Sequence, residues 1–192
     1  MIITLKHTLD ESIVEAYTLL PPEIEFIRRK NDYNRFGQAL LLKYFQEDSR
    51  FPEKLDDIVP NAVVWVAEQL RLSPDLINQF DWQGRTSMRY RSQIRGWLGF
   101  RSNTLTDQEQ LPQWLMNNAL PQENRFSHLE QIAYQRLKEH LVEPPTTGRM
   151  RRFVLESISS TVILQALVPI SKLAIYVQKQ TISSKNVPKV GS

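Results

Sequence analysis

Apolar positions in this chain recur three and four residues apart, and no run alternates convincingly with period two. Glycine is scarce, at 6 of 192 residues, so the turn chemistry of hairpins is missing as well. The pattern predicts an all-α protein. A short helix is expected near 10–19, stopped by Pro21 and Pro22, and a second near 23–30. RFGQALLLKYFQEDS, roughly 35–48, is apolar nearly all round, as a buried central helix would be, and Phe51-Pro52 ends it. Gly37 in this run reads as a point of close helix packing. Pro60 suits the first turn of a helix over 60–72, and Ser73 is the expected N-cap of a short helix over 73–80. Further helices are expected at about 85–98, 106–118 and 125–141. Pro144-Pro145 then breaks the chain, and Thr146 or Thr147 would cap a last helix running to about 158.

Residues 159–192 change texture. They are rich in Ser, Val, Ile and Lys and carry no acid, and they are expected to be a disordered or strand-like remnant. Two helical units are therefore expected, 1–104 and 105–158, followed by an irregular tail. The most apolar segment, VILQALVPISKLAIYV at 162–177, is too short for a bilayer and contains Pro169 and Lys172. With no cysteine and no signal-peptide pattern at the start, the chain reads as cytoplasmic.

Net charge is only +3, but its distribution is uneven. Residues 1–80 carry 9 Lys/Arg against 13 Asp/Glu, 81–141 carry 8 against 6, and 142–192 carry 7 against 2. The excess gathers in DWQGRTSMRYRSQIRGWLGFR at 81–101 and GRMRR at 148–152. Localised basic charge of this kind most often serves nucleic acid or an acidic surface.

The first cluster is a helix with two faces. At about 100° per residue, Tyr90, Ile94, Trp97 and Leu98 fall on one side, and Arg85, Arg89, Ser92, Gln93 and Gly96 on the other. Arg91 and Arg95 sit on a flank. No acid is spaced to pair with these arginines, so they repel one another unless something outside neutralises them. DNA phosphates would do so; Arg also reads guanine and Gln adenine in the major groove. The preceding elements, 60–72, 73–80 and the turn Asp81-Trp82-Gln83-Gly84, give the order of a helix-turn-helix variant. A solvated basic helix without a partner is the competing reading. In the second cluster, Arg149, Arg151 and Arg152 occupy a helix's first turns, where the dipole favours anions. A backbone phosphate would relieve that placement; a frayed surface helix is the alternative.

Other chemistries find little support. His7, His128 and His140 are far apart and lack cysteine partners, so no zinc site is expected. Asp56-Asp57 and Glu47-Asp48 are sequence neighbours that do not share a helix face, so no two-metal site is indicated. No phosphate loop, nucleophile elbow or dinucleotide fingerprint appears. No catalytic residue and no cofactor is assigned. Trp65, Trp97 and Trp114 read as core or half-buried anchors, while Trp82 either packs beneath its turn or touches a sugar.

Several blocks, taken in order, resemble a known family. LLPPEIEFIRRK, RFGQALLLKYFQEDSRFP, VVWVAEQL, GRTSMRYRSQIRGWLGFR and EPPTTGRMRRFV are similar to the N-terminal region of Tn-three family transposases, over about residues 17–158. The resemblance implies an all-helical part that recognises double-stranded DNA at the terminal inverted repeats. It also implies a later RNase H-like domain whose three metal-binding carboxylates transfer strands. This chain stops short of such a domain and is expected to be a non-enzymatic, truncated fragment. Tyr90 stands where the family usually has histidine; because it lies on the apolar face, a packing change is expected there. The implied DNA-contacting set is Arg85, Arg89, Ser92 and Gln93 in the groove, Arg91 and Arg95 on flanking phosphates, and Arg149, Arg151 and Arg152 on a second backbone stretch. The full-length transposase is a second implied partner. A helical protein-interaction module, or a remnant with no active role, is the alternative. No membrane and no small-molecule substrate is implied.

Overall fold

A computed structural model of the chain describes residues 10–163, and these are helical, as the periodicity predicts. The elements are α1 (Glu11–Tyr17), α2 (Pro21–Ile27), α3 (Asp32–Asp48), α4 (Pro60–Leu70), α5 (Arg85–Leu98), α6 (Leu105–Trp114), α7 (Phe126–Glu139) and α8 (147–163). Single 3₁₀ turns occupy Leu55–Asp57 and Pro74–Gln79. Among the described residues the only extended pairing is one isolated parallel bridge, Arg101 with Val142.

Several boundaries differ from the sequence expectation for identifiable reasons. Pro21 and Pro22 begin α2, since the first helical turn needs no N–H donor and tolerates proline's fixed φ. The expected helix over 73–80 is a 3₁₀ segment, and Ser73 makes no capping hydrogen bond from its side chain. The middle element of the expected helix-turn-helix order is thus a 3₁₀ turn. The helix expected over 106–118 ends at Trp114 and passes into a π turn, Leu115–Ala119. Helix α8 continues past 158 to at least 163, five residues into the expected tail; the rest of that tail, with its expectation of disorder, lies outside the described residues.

The chain divides into two compact units. Among the described residues, one holds 10–103 and returns for 137–146; the other holds 104–136 and 147–163. In the first, α3 is central. Phe36, Ala39, Leu40, Leu41, Leu42 and Phe45 are buried along it, and α1, α2, α4, α5 and the 3₁₀ turn Pro74–Gln79 all pack on it. Being covered on every side is why its sequence lacks a polar stripe. Where α3 meets the 3₁₀ turn it carries Gly37. A Cβ there would lie 2.3 Å from Cδ2 of Phe80, so only glycine admits this approach.

The same unit buries one ion pair. Glu23 of α2, 1% exposed, accepts from Leu20 N–H at 2.7 Å and Gln46 Nε2 at 2.7 Å, and faces Lys43 Nζ at 3.4 Å. Its carboxylate therefore begins α2 and ties that helix to α3. Gln69 does similar work for α4, accepting from Leu19 N–H at 2.7 Å and donating to Tyr17 O at 3.0 Å. In the second unit, Leu111, Leu115, Leu129, Ala133, Met150, Phe153 and Val154 are buried. Trp114 there is half-buried and carries the Arg136 guanidinium 4.1 Å above its ring.

Candidate nucleic-acid interface

Helix α5 is fixed by its inner face. Tyr90 and Ile94 are buried at 2% and 0% exposure, and Tyr90 stacks at 6.5 Å on Phe80, the residue that fills the notch at Gly37. Trp82 packs edge-on against Phe80 at 5.0 Å and so lies beneath its turn. At the start of α5 the carboxylate of Asp81 accepts from Gln83 N–H at 3.1 Å, a local turn that sets the entry of the helix. At its end Gly99 adopts φ +76°, the left-handed C-cap. Trp97 is the half-buried kind of anchor. It stacks on Phe26 at 5.1 Å, yet 42% of it is exposed, so it is a half-covered anchor.

The outer face is what the periodicity predicted, with one addition. Arg85, Arg89, Ser92, Gln93 and Gly96 are all exposed. Met88, 60% exposed, lies among them. The helix contains no acid. Among the described residues, none of Arg85, Arg89, Ser92 and Gln93 makes a side-chain hydrogen bond or ion pair. Arg85 borders a polar cleft of about 220 Å³ shared with Tyr33, Asn34, Gln79 and Asp81.

The two flank arginines are engaged inside the protein. Arg91 donates to Pro52 O at 2.9 Å and Trp82 O at 3.1 Å, and it lies 5.6 Å over the Phe51 ring. Burial pushes its guanidinium below its ordinary pKa. Arg95 pairs with Glu143 at 2.8 Å, and its guanidinium also lies over the Phe51 ring, at 5.7 Å. Burial raises the Glu143 carboxyl, and Arg95 only partly offsets that. Together these contacts pin the 51–52 loop and the 137–146 return to α5. The sequence gives no sign of this, because the partners are 39 and 48 residues away.

Reasoning from sequence also missed Lys30. It follows α2, stands 5.2 Å over the Tyr90 ring, and neighbours Arg89, whose guanidinium is 5.5 Å from the same ring. Burial first, and the Arg89 charge second, lower the Lys30 amine.

In the second unit Arg149, Arg151 and Arg152 are exposed in the first turns of α8. Arg151 reaches Glu130 at 3.9 Å and lies 5.9 Å over Phe126. Among the described residues, Arg149 and Arg152 have no ion-pair partner. A cleft of about 410 Å³ in this unit is lined by Glu109 and Glu156 as well as Leu105 and Phe153, a poor setting for phosphate.

The model of a family described as a domain of unknown function, DUF4158, matches residues 2–157. The chain belongs to this family. The matched span contains all of α1 to α7, most of α8 and both arginine clusters. No curated protein matches the chain. Among the described residues, no group of three His, Asp or Glu side chains could hold a metal ion. Likewise, no helix there is long and apolar enough to cross a membrane.

Proposed function

We propose that this DUF4158 chain binds double-stranded DNA with the outer face of α5, as the end-recognising, N-terminal part of a Tn-three-type transposase. The observation that carries the reading is that face itself. Arg85, Arg89, Ser92 and Gln93 project together, without an acid on the helix, from a helix whose opposite face is locked into a core. Such a surface is self-repelling alone and is relieved by phosphates. Arg85, Gln93 and Ser92 supply base-edge hydrogen bonds, Arg89 adds positive charge beside them, and Met88 supplies apolar atoms against which a thymine methyl group can pack. Gly96, with open space where a Cβ would be, lets a sugar-phosphate strand come close to the helix backbone. Arg91 and Arg95 act in this reading by orienting α5. Arg149 and Arg152 offer a separate, sequence-independent phosphate contact.

The test is selection of a preferred duplex from a random-sequence pool, followed by fluorescence anisotropy against a scrambled duplex at two salt concentrations. Terminal repeats of the element that encodes the chain are included as probes. End recognition requires tighter binding to the repeat at both salts. Equal binding to both duplexes that collapses with salt would reduce α5 to a generic basic surface.

A second reading is a helical protein-interaction module that pairs with an intact transposase. The exposure of Leu20, Ile24 and Trp97, at 55%, 44% and 42%, favours it. Retention of the purified intact enzyme at high salt without DNA would support that reading over the first.

A further inference from the structure

We propose that Lys30 and Arg89 form a phosphate clamp, holding one phosphate of the duplex whose base edges α5 reads. The inference rests on the DNA reading and adds a contact from outside the arginine helix.

The geometry starts with Tyr90, 2% exposed on α5. Lys30 Nζ lies 5.2 Å from its ring centroid and 5.9 Å from that of Phe26, and Arg89 Cζ lies 5.5 Å from the Tyr90 ring. Two cations therefore share one ring. The carboxylates nearest to Lys30 in sequence are occupied elsewhere: Glu25 pairs with Arg28 at 3.1 Å and Asp32 with Arg35 at 3.1 Å. Among the described residues, neither Lys30 nor Arg89 has an ion-pair partner. Both ring centroids lie within 6 Å of Lys30 Nζ, which draws its charge toward the Tyr90 ring that Arg89 also faces. Neighbouring cations with no ion-pair partner are unfavourable until an anion sits against both. The chemistry of the pair suits phosphate. A lysine ammonium is a compact point charge, and it acts beside the planar fork of an arginine. Phe26 also stacks on Trp97 at 5.1 Å, so the platform under Lys30 joins α2 to α5.

Lys30→Met keeps an unbranched side chain of similar length and removes the charge; Lys30→Arg restores the charge. With the full chain, dissociation constants are measured on the selected and the scrambled duplex across a salt series, with circular dichroism confirming unchanged helicity. For Lys30→Met the expectation is weaker binding to both duplexes by the same factor. The slope of log K against log salt should become shallower by about one. Lys30→Arg should return the slope to its original value. An unchanged slope in Lys30→Met, with duplex binding otherwise intact, overturns the clamp and leaves the DNA reading standing. If the unsubstituted chain binds neither duplex, the DNA reading itself fails and the clamp with it. A third arm titrates inorganic phosphate without DNA. Saturable binding there that Lys30→Met abolishes, together with an unchanged duplex slope, would assign the pair to a small anion and overturn its role on the duplex.

Discussion

Gly37→Ala and Gly96→Ala should move stability in opposite directions, although both place one methyl group in a helix. Alanine is the better helix former by about 0.8–1 kcal/mol. At Gly96 nothing lies within 4 Å of the added Cβ, so that gain should appear nearly whole, at roughly 0.5–1 kcal/mol. At Gly37 the Cβ would lie 2.3, 2.4 and 2.5 Å from three carbons of the Phe80 ring. Ordinary contact is about 3.5–4 Å, so the ring must retreat by more than 1 Å. It has little room: Phe80 is 4% exposed, with Trp82 against one side at 5.0 Å and Tyr90 stacked at 6.5 Å. Overpacking of this kind costs about 1–3 kcal/mol or more, which exceeds the propensity gain and leaves a net loss of roughly 1–2 kcal/mol. Urea denaturation followed by tryptophan fluorescence reads this directly. With a slope near 2 kcal/mol/M, Gly37→Ala should lower the midpoint by about 0.5–1 M, while Gly96→Ala raises it slightly. Phe80→Leu, costly alone, should lose less when combined with Gly37→Ala than the two single losses added together, because the contact they share is gone. A Gly37→Ala chain as stable as the parent, or more so, would refute the close approach of α3 to Phe80, and with it this account of how α5 is seated.

The remaining predictions concern charge. Arg85→Ala or Arg89→Ala should weaken binding to the selected duplex by roughly 1–3 kcal/mol with helicity unchanged; anisotropy and circular dichroism together check this, and unchanged binding or lost helicity would withdraw these residues from the interface. Glu23→Ala strands the buried Lys43 ammonium without its partner and removes the acceptor of the Leu20 N–H, so it should cost about 3–5 kcal/mol in denaturant melts, against about 0–1 kcal/mol for the exposed Glu25→Ala. Glu143 has its carboxyl raised by burial, so the folded state holds that proton more tightly than the unfolded one. Its contribution should therefore be most favourable in acid and decline as pH rises from the ordinary glutamate value through the raised one. Glu143→Gln should remove that decline from the stability-pH profile, and parallel profiles for the two chains would contradict the burial of this carboxyl.

Much of the fold follows from periodicity and punctuation. The all-round apolar run at 35–48 is central because every face of α3 is covered, and the two-faced run at 85–98 is a helix with its arginines outward. Gly37 was readable as a close contact, although its partner Phe80 was not. What failed was local in origin. The pattern makes Pro21 and Pro22 a stop, yet they start α2, and it makes 73–80 a capped helix, yet Pro74–Gln79 is a 3₁₀ segment. A proline suits a first helical turn as well as a break, so the same residue carries two signals that only neighbouring packing separates.

The sequence by itself determined the helical class, the buried identity of α3 and the outward display of Arg85, Arg89, Ser92 and Gln93. Each of these depends on a repeat of three to four residues, which is present in the order of side chains before any folding. The tertiary structure decided which cations are free. Among the described residues, Arg91 and Arg95, on the flank of α5, meet Pro52 O, Trp82 O and Glu143, whereas Arg89 on the outer face stands beside Lys30 and has no ion-pair partner. Those partners come from 9 to 59 residues away along the chain. Coulomb and hydrogen-bond energies depend on distance in space, and no local pattern encodes that distance.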